Sequence, residues 1–368
     1  MRIAFLGDTV FGGKFDCTQR SMHEISEYFK DIMSVLETCD FAIANLEAPF
    51  TSCAATKEAK SMPLKCSPEN VKLLKMLGIT AVCLANNHIF DFGEKGLCET
   101  VQALEATNIG YFGIDQKCYM LHKAQERVQL HGFCCFSTNG WHYDRLLGKG
   151  RLNTLEASNV INAVNIAQEE QAYPILSFHW GEENTYYPNR NHIEIARKVV
   201  EHHATTIVGH HPHVIQGIAE EKQGLVAYSL GNFCFDDCTS LDGKVSITQT
   251  QANREGLILI LTIENGQLVN HEEVMFVDDG SSLKLTGALR TQFEIYSKKI
   301  KEFHDEMEYD AVRKNEIIAA RTQRLGKRDL KWLLDRLKRN YIMAVVQRKI
   351  NQRAFAKVKK GFELYYHE

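Results

Sequence analysis

The feature that most restricts the fold is a recurring unit in which a short apolar run stops at a residue able to bind metal or transfer a proton. Six such endings occur in the first two thirds of the chain: Asp8, Asn45 with Glu47, Asn87 with His88, His179, His211 with His213, and Asn232. Helical patterns separate most of the runs, which predicts an α/β fold with buried strands. Because sites in open α/β sheets gather at the carboxyl ends of strands, these endings are expected to converge.

The periodicity of apolar residues predicts the order of the elements. Strands are expected at residues 2–7, 40–44, 79–85, 109–112, 128–137, 173–178, 205–208 and 225–229, and helices at 21–38, 68–77, 94–107, 155–171 and 191–203. Two further strands, 255–263 and 268–276, are expected to pair around the turn at 264–267, which makes the sheet mixed. These patterns alone favour one doubly wound sheet.

The polar endings predict a metal site only when they are taken together. Singly, each has an ordinary explanation: Asp8 can cap a turn, Asn45 and Asn87 can be turn residues, and His179 beside Trp180 can be a core histidine. Together they supply nitrogen and oxygen ligands without cysteine, a set that suits Mn, Fe(II) or Zn better than a thiolate-bound structural zinc. Two such ions can clamp a phosphoryl group and activate a water, while a further histidine protonates the leaving oxygen.

Six motifs carry a resemblance to a known family. They are Gly7-Asp8, Asn45-Leu46-Glu47-Ala48-Pro49, Ala85-Asn86-Asn87-His88-Ile89-Phe90-Asp91-Phe92-Gly93, His179-Trp180-Gly181-Glu182-Glu183, the histidine-rich stretch 209–217, and Tyr228-Ser229-Leu230-Gly231-Asn232-Phe233. In this order they resemble the CapA family of capsule or poly-γ-glutamate biosynthesis proteins, which is related to calcineurin-like metallophosphoesterases. The resemblance implies a four-layer αββα metallophosphatase-like sandwich over residues 1–285, in place of one doubly wound sheet. A basic helical C-terminal extension is expected over residues 286–368.

The resemblance also implies roles for individual residues. Metal ligands are implied at Asp8, Asn87, His179, His211 and His213, with Asn45 or Glu47 at the bridging position. His88 matches the histidine that assists the leaving group. Asp91 and Glu182 are expected to orient His88 and His179, since ligand histidines usually need such partners. His210 is expected to be a support residue, whereas Tyr228 and Asn232 belong to a family motif without an assigned chemical role.

Two positions depart from the phosphatase pattern. Val10 stands where the pattern has a metal-binding histidine, and Asn45 and Glu47 stand in place of its second aspartate. The resemblance therefore implies one or two divalent ions (Mn, Fe or Zn), with one bound tightly and the other weak or absent.

The expected function is that of a metal-dependent hydrolase of phosphoesterase type, associated with capsule or surface-polymer synthesis. Its substrate is expected to be an anionic polymer or a phosphorylated compound. Val10 favours an alternative, a non-catalytic accessory or scaffold protein of a polymer-synthesis complex. A metal-dependent amide hydrolase is a third possibility, because poly-γ-glutamate is an amide polymer and a fold does not fix the substrate.

The charge distribution changes towards the C-terminus. Residues 311–360 contain 16 Lys and Arg against three acidic residues, although the whole chain carries a net charge of −3. This pattern favours helices that pack an apolar stripe on the sandwich and leave their lysines in solvent. The alternative is a contact with a membrane surface or a protein, and no nucleic-acid partner is expected because no recognition motif is present.

The cysteine usage predicts a reducing environment. The 11 cysteines include no CxxC pair, a pattern that suits free thiols. The chain shows no secretory signal and no membrane-spanning apolar run, so a cytoplasmic location is expected.

Overall fold

A computed structural model describes residues 1–56, 62–138, 151–221, 224–241, 243, 246–302, 306–324 and 339–366. The β-strands, in chain order, are β1 (Arg2–Thr9), β2 (Phe41–Leu46), β3 (Ala81–Cys83), β4 (Gly110–Phe112), β5 (Tyr119–Lys123), β6 (Glu126–Cys134), β7 (Tyr173–His179), β8 (Thr205–His210), β9 (Ile218–Glu221), β10 (Gly224–Ala227), β11 (Asn232–Cys234), β12 (Cys238–Thr239), β13 (Ser246–Ile247), β14 (Glu255–Glu264), β15 (Gln267–Asp278) and β16 (Leu283–Leu285). The α-helices are α1 (Met22–Tyr28), α2 (Lys30–Leu36), α3 (Val71–Met76), α4 (Gly93–Ala106), α5 (Ala157–Glu169), α6 (Arg190–His202), α7 (Arg290–Lys301), α8 (Glu306–Arg324) and α9 (Arg339–Tyr365).

The strands form two large mixed sheets. The first has the order β16-β15-β14-β1-β2-β3-β4, with β11 paired to the end of β1, and the second has the order β5-β6-β7-β8-β10-β9. Strand β1 runs parallel to β2 and antiparallel to β14, while β7 runs parallel to β6 and β8. The expectation of a single doubly wound sheet is therefore wrong, and the expectation of two mixed sheets is confirmed.

The two sheets contact each other directly, and helices cover them. Gly132 of β6 faces β3 at this contact: a Cβ atom there would lie 2.6 Å from Cys83 Sγ and 3.2 Å from Ala85 Cβ. Glycine is required because a larger side chain would push the sheets apart. Helices α2 and α4 pack on the first sheet, and α5 and α6 pack on the second. The layers are thus helix, sheet, sheet and helix, as the sandwich prediction requires.

The first helical region is divided, although its pattern predicted one helix over residues 21–38. Helix α1 begins with a capping box, in which Ser21 Oγ accepts from Glu24 N and Glu24 Oε2 accepts from Ser21 N. The break falls at Phe29, which is fully buried, with its ring centroid 5.5 Å from that of Phe15 and 5.6 Å from that of Phe233. Phe29 has φ −97° and ψ 5°, outside the α-helical region, and its ring lies in the core; the helical period alone does not reveal this break.

The C-terminal helices share the core of the sandwich. Their buried apolar side chains, among the described residues, are Phe293, Ile300, Tyr309, Val358 and Phe362. Helix α7 packs on β9, and α9 packs on α5 and α6. Lys349, Arg353, Lys357 and Lys360 of α9 are exposed, so the apolar stripe packs inward and these basic residues face solvent. Among the described helices, none combines the length and hydropathy needed to cross a bilayer.

Glu316 of α8 is a half-buried acid whose ionisation opposes folding. Burial raises its pKa from 4.5 to about 7, against smaller opposing effects of Arg313 and of Tyr187 N–H, which donates to Glu316 Oε2 at 3.4 Å. Because the folded-state pKa lies above the unfolded value, the folded state binds more protons, and stability falls as the pH rises through about 4.5 to 7. We expect Glu316→Gln to raise the free energy of unfolding at about pH 8 by on the order of 1 kcal/mol, after allowing for partial exposure.

Urea unfolding of both proteins measures this effect. Near pH 4.5 the difference should largely disappear, because both Glu316 and its replacement are then neutral in the folded state. An equal stabilisation at both pH values would contradict the assignment to ionisation of Glu316.

Candidate metal centre

The carboxyl ends of the central strands of both sheets meet at one buried cluster. Asp8, near the end of β1, accepts hydrogen bonds from Asn45 Nδ2 at 2.8 Å and from His211 N at 3.0 Å. His179 and His210 end the neighbouring strands β7 and β8 and lie directly opposite each other. The convergence of strand ends expected from the sequence therefore occurs between the sheets, not along a single one.

Glu47 joins two groups of metal-binding side chains. One group consists of Glu47, His179 and His211, and the other of Asp8, Glu47 and His213; within each group the ligand atoms lie within 4.8 Å of one another. Glu47 Oε1 is 3.7 Å from His179 Nε2 and 3.6 Å from His213 Nε2. Of the two residues expected at the bridging position, Glu47 has this geometry. Asn45 is instead a supporting residue, because its Nδ2 donates to Asp8 Oδ1 and lies 3.4 Å from His179 Nδ1.

The donor set fits a divalent cation. It contains two carboxylates and three imidazoles and no thiolate, which suits Mn²⁺, Fe²⁺ or Zn²⁺. Glu47 and Asp8 are fully buried, and burying two carboxylates this close is unfavourable without positive charge between them. His211 Nδ1 is also buried and makes no hydrogen bond to the described part of the chain. A cation bound in each group would neutralise the carboxylates.

Electrostatics divide the histidines into two kinds. Burial lowers the pKa of His179 well below its usual range and that of His211 to about 4, so both rings are neutral. Burial would also lower the pKa of His213, but the charges of Glu47 and Asp8 outweigh it and raise that pKa to about 10. Burial acts to raise the pKa of Asp8, yet contacts with His210 and His213 hold it well below the usual value.

His211 and His213 lie on a backbone turn that needs external support. Their φ angles of 96° and 58° fall in the left-handed region, which is unfavourable for residues other than glycine. His213 Nδ1 donates to Asn232 Oδ1 at 2.9 Å, and Asn253 Nδ2 donates to His213 O at 3.0 Å. The sequence did not point to Asn253, because it lies in a short turn before β14 and not at a strand end.

The asparagine motif after β3 contributes to the same cluster. Asn87 Oδ1 lies 2.7 Å from His179 Nε2, which places it beside the first ligand group. Asn86 shapes the turn: its Nδ2 donates to Leu46 O, and its Oδ1 accepts from His88 N and Ile89 N. Asn86 belongs to the motif of residues 85–93, but the sequence did not predict this structural role.

His88 and Asp91 form a pair beside the ligand groups. His88 Nδ1 lies 2.6 Å from Asp91 Oδ2, and this oxygen also accepts from Leu64 N at 2.7 Å. Asp91 is fully buried, whereas the His88 side chain is 15% exposed. Because an imidazole held in this way donates through Nδ1, its Nε2 is the atom available for proton transfer.

Glu182 differs from the role that the resemblance implied, whereas Tyr228 and Val10 are core residues. Glu182 was expected to orient His179, but its carboxylate accepts from Asn189 Nδ2 and Arg313 Nη2, because a buried guanidinium needs an opposite charge. Tyr228 lies in the core, stacked on Trp180 with ring centroids 5.9 Å apart. The Val10 side chain is buried at 4% exposure, and the group of Asp8, Glu47 and His213 forms without a ligand at this position. His210 lies as a support residue would, with Nδ1 3.4 Å from Asp8 Oδ1.

Comparisons with known proteins identify the same family that the sequence motifs resemble. A family model described as bacterial capsule synthesis protein PGA_cap matches residues 2–237. The capsule biosynthesis protein CapA of Bacillus anthracis is 28% identical over 276 residues, covering 71% of this chain and 64% of that protein. The PGA biosynthesis protein CapA of Bacillus subtilis is 26% identical over 264 residues, covering 69% of this chain and 68% of that protein. The chain thus spans just under two thirds of the length of the first relative.

Similarity to solved structures is more distant. The crystal structure of the calcineurin-like phosphoesterase YfkN from Bacillus subtilis aligns with a TM-score of 0.44 and 11% sequence identity, covering 82% of this chain and 99% of that chain.

Proposed function

The chain belongs to the family of bacterial capsule synthesis proteins, and from this premise we propose that it is a divalent-metal-dependent hydrolase of phosphoesterase type. The observation that carries the proposal is the sharing of Glu47 by two carboxylate–imidazole groups. Two ions held by these groups would supply electrostatic stabilisation to both the attacking and the leaving oxygen in phosphoryl transfer. We further propose that the substrate is an anionic polymer or phosphorylated compound of capsule or related surface-polymer synthesis.

The residues of the cluster divide the chemical work. Asp8, Glu47, His179, His211 and His213 would hold the ions, which supply Lewis acidity and lower the pKa of a coordinated water. The neutral rings of His179 and His211 keep a lone pair for this purpose. Asp91 fixes the ring of His88, so that Nε2 can deliver a proton to the leaving oxygen.

Val10 favours a second candidate function, an accessory role without catalysis. The side chain at this position is buried and apolar, so it cannot supply the ligand found there in the phosphatase pattern. A protein that retains one metal for structural reasons would serve as a scaffold in a polymer-synthesis complex. The two functions differ in whether the metal-loaded protein turns over a substrate.

We propose a cytoplasmic location for this activity. All 11 cysteines lie within the described residues and are free thiols. Five of them are buried, including the adjacent Cys134 and Cys135. Free thiols in this number suit a reducing compartment.

The proposal is tested with His88→Ala. Protein supplied with Mn²⁺, Fe²⁺ or Zn²⁺ is analysed for metal content and for hydrolysis of phenyl phosphate and diphenyl phosphate, whose leaving oxygens need a proton. We expect the variant to keep its metal and to lose about 100-fold in kcat, because a proton donor is removed and no ligand is changed. His122→Ala is the matched control, since His122 is an exposed histidine on β5.

The other outcomes identify the alternatives. A folded, metal-loaded protein that hydrolyses neither ester favours the accessory role. Hydrolysis of a γ-glutamyl anilide but not of the esters would show that the reaction is amide cleavage. Equal activity of His88→Ala and the wild type would exclude His88 as the proton donor.

A further inference from the structure

Arg313 of α8 is a buried cation in the basic C-terminal extension. Its exposure is 6%, and it is the one Lys or Arg among the buried residues of the described chain. Its guanidinium pairs with Glu182 Oε2 and donates through Nε to Tyr187 O at 3.0 Å. Because a buried cation is unfavourable unless it is well paired, these contacts fix α8 firmly to the segment between β7 and α6. We call this segment, residues 180–189, the β7–α6 loop.

Two further residues of α8 hold the same loop. Tyr309 Oη donates to Pro188 O at 2.9 Å, and Glu316 Oε2 accepts from Tyr187 N at 3.4 Å. Tyr309 is 2% exposed. One face of α8 therefore holds the backbone of the β7–α6 loop at successive residues, and the loop begins immediately after His179.

The β7–α6 loop in turn holds the turn that carries His211 and His213. Asn184 N donates to Pro212 O at 2.8 Å, so this bond falls between the two histidines. Gln216 Nε2 donates to Thr185 O at 2.7 Å, at the far end of the turn. Since both histidines have left-handed backbone conformations, the turn keeps its shape only while surrounding contacts support it.

We infer that Arg313 is a positioning residue for the metal centre, which acts through the β7–α6 loop on the turn of His211 and His213. It contacts no ligand atom itself. The C-terminal extension then contributes to metal affinity, because its contacts hold His211 and His213 in the conformation that binds metal. The inference rests on the proposed function in one respect, namely that these histidines bind a divalent ion.

The test uses Arg313→Met in the full chain. Free Mn²⁺ is measured by electron paramagnetic resonance during a titration, and we expect about 10-fold weaker binding, as is found when supporting residues of a metal site are lost. In metal-free protein, hydrogen exchange in a peptide covering residues 209–216 should become faster. Asp310→Asn is the matched control: it lies on the same helix and pairs with Arg190 at 3.0 Å, without a contact that reaches the histidine turn. It should match the wild type in both measurements.

The outcomes separate positioning from general support. If Arg313→Met lowers the thermal midpoint but binds Mn²⁺ and exchanges like the wild type, the inference is wrong. If Arg313→Met does not fold, Tyr309→Phe removes a single hydrogen bond to the loop, and we expect about two- to three-fold weaker binding with faster exchange. Unchanged binding and exchange in that variant would overturn the inference. A wild type that binds none of Mn²⁺, Fe²⁺ and Zn²⁺ would contradict the proposed function, while the exchange measurement on metal-free protein would still decide the role of Arg313.

Discussion

Replacing Glu47 with glutamine is expected to reduce phosphoester hydrolysis on the order of 1,000-fold and to weaken the binding of both ions. Glu47 belongs to both ligand groups, so the loss of its charge affects each of them. An amide retains one oxygen but places an NH₂ group where the second acceptor stood, and that group repels a cation. His211→Ala should differ, because His211 belongs to only one group and its loss should lower the metal content without abolishing it.

Metal stoichiometry and kcat distinguish these expectations. The matched control is Glu126→Gln, since Glu126 is also buried but accepts from Asn265 N and Gly266 N near the start of β6. This control should retain wild-type metal content and activity. If Glu47→Gln kept both ions and full activity, Glu47 would not be the shared ligand and the proposed function would lose its main support.

Gly209→Ala is expected to destabilise the protein by about 3 kcal/mol or more. A Cβ atom on Gly209 would lie 1.9 Å from Tyr228 O, 2.5 Å from Tyr228 C and 2.7 Å from Trp180 Nε1. The clash is with backbone, which cannot rotate away as a side chain can. Relief therefore requires separating β8 from the segment after β10, and β8 delivers His210 and His211 to the site.

Urea unfolding and soluble yield measure this effect. Gly287→Ala is the control, because a Cβ there meets nothing within 4 Å, and it should change the free energy of unfolding by less than about 0.5 kcal/mol. A similarly small change in Gly209→Ala would contradict this expectation. It would mean that the backbone at Tyr228 can shift to admit a methyl group at little cost.

The sequence identified the strands that lie in the centre of the sheets but not how they are arranged. Strands β1, β7 and β8 are short apolar runs that end at polar residues, and each was predicted close to its observed bounds. Strand β5 was missed, because it is an edge strand with exposed polar residues and lacks a regular apolar pattern. An apolar run predicts a buried strand but does not indicate which sheet that strand joins. The expectation of two sheets therefore came from the family resemblance.

The ligand residues could be predicted from the sequence, whereas the residues that support them could not. His179, His211 and His213 stand at strand ends, where topology alone brings them together. Asn253 and Arg313 reach the same region through side-chain contacts between segments far apart in the chain. No local periodicity encodes such contacts. The expected role of Glu182 failed in this way, because its partner on α8 lies 131 residues further along the chain.

The position of β1 between β2 and β14 has a consequence for synthesis of the protein on the ribosome. Arg2 pairs with Thr262, so at about 5–20 residues per second the second neighbour of β1 emerges about 13–50 s after β1 itself. During that interval the apolar segment Ile3-Ala4-Phe5-Leu6 has one unpaired backbone edge, which is the kind of edge that recruits strands from other chains. Production of the native protein should therefore depend on chaperones that shield this edge. Added chaperone at an unchanged rate of translation should favour soluble protein over inclusion bodies.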